Sequence, residues 1–141
     1  MKGKIVCDSS VIVKWLVSQN ESYLAQANSI LDDVSHGNVE IYAPELAKYE
    51  VGNTLLSGKQ FSLQDAKISL TTLYSLPVKF IAESSIQAEE TYSIGEKFNI
   101  TYYDACFASL AKLLNAALVT GNPKHQAKVK GVKVVALKDY N

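Results

Sequence analysis

The sequence predicts an α/β fold, a three-layer α/β/α sandwich with a mostly parallel central sheet. Three observations predict it. Short apolar runs of strand length alternate with longer segments whose apolar residues recur at helical spacing, from one end of the chain to the other. The first run, Ile5-Val6-Cys7, is continuously apolar, as suits a parallel strand covered on both faces. No internal repeat, low-complexity stretch or interdomain linker interrupts the alternation, so residues 1–141 read as a single domain.

Each element has a local reason. Lys4 to Asp8 is the first strand, and Ser9 or Ser10 caps the helix that carries Val11, Ile12, Trp15 and Leu16. Ser22 to Val34 is a second helix with Leu24, Ala27, Ile30 and Leu31 on one side, and Ser35 to Asn38 turns the chain. Val39 to Ala43 is the second strand. Pro44 sits where a helix can start, Glu45 to Leu56 forms that helix, and Ser57, Gly58 and Lys59 end it. Ser62, three residues before Asp65, opens a helix to Tyr74 with a capping-box variant. After Pro77 comes a third strand, Val78 to Ile81. Ser84 or Ser85 opens a helix to about Phe98, and Thr101 opens another that ends near Asn115. Ala117 to Thr120 is the fourth strand, Pro123 to Val129 a short helix, and Lys133 to Ala136 the last strand.

The bulk properties narrow the function. Of 141 residues, 48% are hydrophobic and 20% charged, the profile of an ordinary globule. No apolar run approaches the roughly 20 residues that span a bilayer, and Met1 to Cys7 lacks the apolar stretch of a signal peptide, so no membrane role and a cytoplasmic setting are expected. Cys7 and Cys106 lie in apolar runs without a CxxC or Cys/His cluster, which reads as two buried thiols and no zinc. Fourteen basic residues balance fourteen acidic ones, which argues against holding nucleic acid by bulk charge. All the basic residues are lysine. Without arginine there is no guanidinium fork for a phosphate, so any phosphate contact falls to lysine, backbone amides, hydroxyls or a metal.

Three acids stand where chemistry is expected. Ligands of an open parallel sheet collect beyond the carboxyl ends of its strands, and Asp8 lies at such an end, with the two following serines and a helix N-terminus beside it. A helix cap is the alternative role for Asp8. Glu50 sits inside a helix beside the apolar Leu46, Val51, Leu55 and Leu56, with Asn53 on its face; a surface acid is the alternative. Its competitor Glu45 lies in the first turn, where the helix dipole alone accounts for it. Asp104 opens an almost wholly apolar helix, Ala105 to Leu114, so it is semi-buried and needs a partner or a cation, or is simply favoured by the helix dipole.

Taken together, the contexts of these acids carry a resemblance. The run Val6-Cys7-Asp8-Ser9-Ser10-Val11-Ile12-Val13-Lys14-Trp15 resembles the opening motif of PIN domains, especially of VapC-type toxins. Pro44-Glu45-Leu46-Ala47-Lys48-Tyr49-Glu50-Val51-Gly52-Asn53 is similar to the second motif, and Tyr103-Asp104-Ala105-Cys106-Phe107-Ala108-Ser109-Leu110-Ala111 to the third. Leu118-Val119-Thr120-Gly121-Asn122 matches the frame of the fourth, with Asn122 where the family usually has aspartate. The first and third motifs are fairly specific and the second is loose.

The resemblance implies a PIN-like fold in which Asp8, Glu50 and Asp104 form an acidic site for Mg²⁺ or Mn²⁺, hard ions suited to carboxylate oxygen. It implies a metal-dependent endoribonuclease whose products carry a 5′-phosphate and a 3′-hydroxyl. It implies a VapB-like antitoxin partner and a homodimer, and a chain of this length with no appended domain fits the toxin of such a pair. A stand-alone PIN nuclease in RNA processing is the second reading, and a degenerate PIN domain that binds without cutting the third. A receiver-like module would want paired acids at the first strand end, where Asp8 stands alone. Asn122 brings a carbonyl oxygen but no charge, so a second metal is expected to bind more weakly than with aspartate there. Thr120 and Ser9 are candidates for orienting carboxylates or water, or else a strand-end hydroxyl and a cap. Lys124 and Lys128, placed on one helical face, are candidate RNA contacts, and His125 is a weak general-base candidate. Trp15, Leu16 and Leu56 suit either a partner groove or the core, and His36 the surface.

Overall fold

The computed structural model describes residues 3–58 and 61–141. Five strands, β1 (Gly3–Cys7), β2 (Val39–Pro44), β3 (Val78–Ile81), β4 (Ala117–Thr120) and β5 (Val134–Ala136), form one sheet in the order β3-β2-β1-β4-β5. The sheet, expected to be mostly parallel, is parallel at every pairing. The helices are α1 (Ser9–Leu16), α2 (Leu24–Ser35), α3 (Leu46–Asn53), α4 (Leu63–Ser75), α5 (Ser85–Phe98), α6 (Tyr102–Leu114) and α7 (Pro123–Gln126).

The strand order fixes where ligands gather. The chain steps from β1 outward to β2 and β3, then returns through α5 and α6 to β4 on the other side of β1, and steps on to β5. Right-handed crossovers put α1 to α4 on one face and α5 to α7 on the other, giving the three layers. The direction reverses between β1 and β4, and the crevice beyond their carboxyl ends is the ligand position of an open sheet.

The core joins Val6, Cys7, Ile41, Leu118 and Val119 of the sheet to Val11 and Ile12 of α1 and Phe107 and Ala108 of α6. Removing Phe107, 1% exposed, from water contributes about 1.5–3 kcal/mol. Every residue of α6 from Ala105 to Ala111 is buried, as its sequence predicts. Both cysteines are free and buried, and burial pushes the Cys106 thiol up to about 12, so it is an inert packing group. His36 is exposed. No helix among the described residues is long and apolar enough to cross a membrane.

Several boundaries differ from expectation for identifiable reasons. Neither Ser9 nor Ser10 caps α1; Asp8 does, its side chain accepting from the Ser10 backbone N–H. Helix α2 begins at Leu24 rather than Ser22, because Tyr23 at its cap is left-handed. Pro44 closes β2 instead of opening a helix, and Glu45 N–H still donates to the Ile81 carbonyl across to β3. Helix α3 stops at Asn53 and widens into a single π turn, Thr54–Gly58. The hydroxyls of Thr54 and Ser57 donate to the carbonyls of Glu50 and Asn53 four residues back, bonds that loosen a regular helix. Lys59, expected to help end this helix, lies outside the described residues. Helix α7 ends at Gln126, so Lys128 does not share a helical face with Lys124. The Ser62 cap forms as expected, its hydroxyl accepting from Asp65 N–H at 3.1 Å.

Candidate active site

Residues from remote stretches of chain line one cavity of about 740 Å³ beyond the carboxyl ends of β1 and β4. Asp8, Ser9 and Ser10 enter from the β1–α1 junction, Glu50 and Thr54 from α3 and its π turn, Asp104 from the first turn of α6, and Gly121, Asn122, Lys124, His125 and Gln126 from the segment after β4.

Asp8 is the most enclosed of the acids, 9% exposed, and it is both the cap of α1 and a wall of the cavity. Its Oδ2 accepts from Ser10 Oγ at 2.6 Å and from Thr120 Oγ1 at 3.2 Å. Thr120 Oγ1 in turn accepts from the Asn122 N–H at 3.0 Å, and Ser10 Oγ from the Gly121 N–H at 3.0 Å. The end of β4 is thereby laced to the start of α1 through two hydroxyls that both hold one carboxylate oxygen. Gly121 suits this closeness, since a Cβ there would stand 3.3 Å from Ser10 Oγ and the hydroxyl would have to give by a few tenths of an ångström.

Glu50 turns inward. Its Oε1 accepts from Ser9 Oγ at 3.0 Å, which resolves the inward and surface alternatives for this acid. Burial raises its pKa, the charges of Asp8 and Asp104 raise it further, and the Ser9 hydroxyl works against them. Asp104 is half-buried; burial and then Asp8 raise its pKa, while His125 and the Thr101 hydroxyl oppose the rise. Glu50 and Asp104 therefore both feel the charge of Asp8 across the cavity. Among the described residues no three His, Cys, Asp or Glu side chains stand gathered at the spacing of a finished metal site. The donor set nonetheless suits a hard divalent ion that keeps its waters, since mutually repelling carboxylates are what such an ion neutralises.

The other expected residues fall as follows. Ser9, Thr120 and Asn122 are in the site, the first two bonded to carboxylates. Lys124 and His125 line the cavity, whereas the exposed Lys128 does not. Trp15 donates its indole N–H to the Ala27 carbonyl at 2.8 Å and packs on the core, and Leu56 is 82% exposed. Sequence reasoning passed over Lys14, Glu21, Tyr23 and Gln126, all in the cavity lining. Lys14 pairs with Glu21 at 2.9 Å, the two side chains 9% and 14% exposed. The signal for Lys14 was its position four residues after Ser10, on the same helical face. Nothing local marks Glu21, Tyr23 or Gln126.

Comparison with known proteins gives concordant results. The family model described as PIN domain matches residues 5–132. The chain is 26% identical to a protein of Mycobacterium tuberculosis named Ribonuclease VapC1, over 84% of this chain and 86% of that one. Its fold is similar to the crystal structure of VapBC2 from Rickettsia felis bound to a promoter DNA fragment, with a TM-score of 0.74 and 17% identity, covering 94% of this chain and 98% of that one. It is also similar to DNA-bound VapBC from Salmonella typhimurium, with a TM-score of 0.71 and 13% identity over 96% and 98% of the two chains.

Proposed function

The chain belongs to the PIN domain family, and from that premise we propose that it is a divalent-metal-dependent endoribonuclease, the toxin of a VapBC-type pair. One observation carries the reading: Asp8, Glu50 and Asp104, from three distant segments, line a single cavity at the reversal point of the sheet, where burial and the charge of Asp8 raise the proton affinity of Glu50 and Asp104. The name of the Mycobacterium tuberculosis relative supports RNA as substrate, and the VapBC complexes support an antitoxin partner. A homodimer and a cytoplasmic setting belong to the same reading.

Asp8, Glu50 and Asp104 would hold Mg²⁺ or Mn²⁺, which when bound neutralises charge on the phosphodiester and acidifies the attacking water. The residues do the positioning. Ser10 and Thr120 hold one oxygen of Asp8, so that carboxylate meets the cavity in one orientation. Ser9 does the same for Glu50, which is thereby held facing the cavity and placed to take a proton from water as it attacks phosphorus. Water adds to the phosphorus, the 3′ oxygen leaves, and the products are a 5′-phosphate and a 3′-hydroxyl. Lys124 on the cavity lining offers the backbone a positive charge.

The test is cleavage of single-stranded RNA by the wild type and Asp104→Asn, with Mg²⁺, with Mn²⁺ and with EDTA. Cleavage that needs either ion and disappears in the variant supports the reading. No cleavage with either ion, or equal cleavage by the variant, overturns it. The exchange of the family's usual aspartate for Asn122 bears on a binding-only domain, which ion-dependent cleavage lost in Asp8→Asn would exclude.

A further inference from the structure

The acids account for part of the cavity lining, and two other lining residues have features that hydrolysis does not use. Gln126, the last residue of α7, is 2% exposed, and neither its amide nitrogen nor its amide oxygen has a hydrogen-bond partner among the described residues. Native interiors seldom leave a buried amide unmet at both ends, because the lost hydration is not repaid. Tyr23 is 47% exposed and holds φ 58° and ψ 34°, a left-handed conformation that is unusual for a bulky side chain. Strain of that kind gathers at ligand sites. Its side chain makes no capping bond to α2 that would account for it.

Tyr23 and Gln126 line one cavity, together with the ion-paired Lys14 and Glu21. The cavity, at about 740 Å³, is within the range that encloses a ligand of nucleoside size.

We propose that this part of the cavity is a nucleobase subsite, in which the Tyr23 ring stacks on a base flanking the scissile phosphate and the Gln126 amide hydrogen-bonds that base's edge. An amide presents a donor and an acceptor side by side, the pattern that complements a base edge. Single-stranded RNA is read in this way, with unstacked bases laid on aromatic rings. Substrate draws the Gln126 amide out by a rotamer change and completes its bonds. The subsite rests on the ribonuclease reading and adds to it the place where the base next to the cut is chosen.

A pool of single-stranded RNA with random sequence tests it, cleaved with Mn²⁺ by the wild type, Gln126→Met, Tyr23→Asn and Tyr23→Phe, with the ends sequenced and KM measured on one preferred oligonucleotide. The wild type is expected to favour one base at one position beside the cut. Gln126→Met should reduce that preference about tenfold. Tyr23→Asn, which keeps a residue tolerant of the left-handed conformation but removes the ring, should raise KM, and Tyr23→Phe should restore it. Thermal unfolding separates recognition from folding: Gln126→Met should unfold no earlier than the wild type, since it replaces an unmet amide with an apolar group of like shape. If Gln126→Met does not fold, the two Tyr23 variants decide. Unchanged base preference and KM in the variants, or a wild type that cuts without preference, overturns the subsite while leaving the nuclease. A wild type that cuts no RNA overturns the nuclease reading and the subsite with it.

Discussion

Two polar clusters interrupt the apolar interior, and they are built on opposite terms. Between α5 and α6, Gln87, Thr91 and Ser109 are all nearly or wholly buried, and each meets a partner: Thr91 and Ser109 hydroxyls bond at 2.6 Å, Ser109 donates to the Cys106 carbonyl at 3.0 Å, and Gln87 Nε2 reaches Ser109 Oγ at 3.4 Å. All of its groups are neutral, and a neutral, satisfied network stabilises the packing around it. In the cavity beyond β1 and β4 the groups are three carboxylates whose hydrogen bonds come from serine and threonine, and whose charges oppose one another. Hydrogen bonds alone satisfy the first cluster. The second gathers Asp8, Glu21, Glu50 and Asp104 against Lys14 and Lys124, a demand for positive charge that the fold meets only in part, and that is the difference between a structural polar cluster and a site.

The comparison breaks first at Asp8. Asparagine caps a helix as well as aspartate does, so Asp8→Asn should leave thermal unfolding nearly unchanged. RNA cleavage should nevertheless fall by about a thousandfold or more, as when one member of a group that acts as a unit is removed. Comparable losses in stability and activity would mean that Asp8 serves the fold alone. Next in size is Thr120→Val, which keeps volume but frees one Asp8 oxygen and removes the acceptor for Asn122 N–H. Cleavage is expected to drop about 10- to 100-fold, the range for groups that orient metal-binding carboxylates. A steady-state rate within twofold or so of wild type would show that Ser10 suffices.

How far the sequence already disclosed these two clusters follows from their physics. The alternation of apolar runs and helical segments predicts the parallel sheet, and Asp8 at the end of Ile5-Val6-Cys7 lies where such a sheet binds ligands. The pairing of Asp8 with Thr120 is not legible locally, because 112 residues separate them and only the β1–β4 pairing brings them together. Ends of elements are less legible in the sequence than their centres. Pro44, a helix starter by local preference, is claimed by β2 because it stands opposite Ile81 of β3 and the next residue, Glu45, donates its N–H to the Ile81 carbonyl. Gln126 and Tyr23 escaped notice because what singles them out is a missing partner and a backbone angle, which no residue type announces.

The satisfied cluster should behave as a fold element only. Ser109→Ala deprives Thr91 and Gln87 of a common partner in a buried place, and should cost about 1 to 2 kcal/mol in urea unfolding. RNA cleavage per folded molecule should be unchanged. A lowered turnover with normal stability would show that this cluster communicates with the cavity.

The smallest effect distinguishes the clusters most sharply, because its sign is opposite. An acid whose folded-state pKa is raised binds its proton more tightly when folded, so it destabilises nothing at low pH. Its cost appears as pH rises from the ordinary carboxylate range through the raised value, and is complete at neutral pH. Asp104 is such an acid, raised by burial and by Asp8. Asp104→Asn should therefore make the metal-free protein more stable at neutral pH, by less than about 1 kcal/mol because solvent screens a half-buried group. The dipole of α6 pulls the other way, favouring charge in its first turn by about 0.3–1 kcal/mol. Burial beside Asp8 is expected to outweigh it. Urea midpoints from acid to neutral pH, with and without Mg²⁺, decide the matter. The gap between variant and wild type should be absent in acid, open toward neutrality, and close when the ion is added. A gap already present in acid, or a variant less stable at neutral pH, would mean that the carboxylates are no more strained than the hydroxyls between α5 and α6.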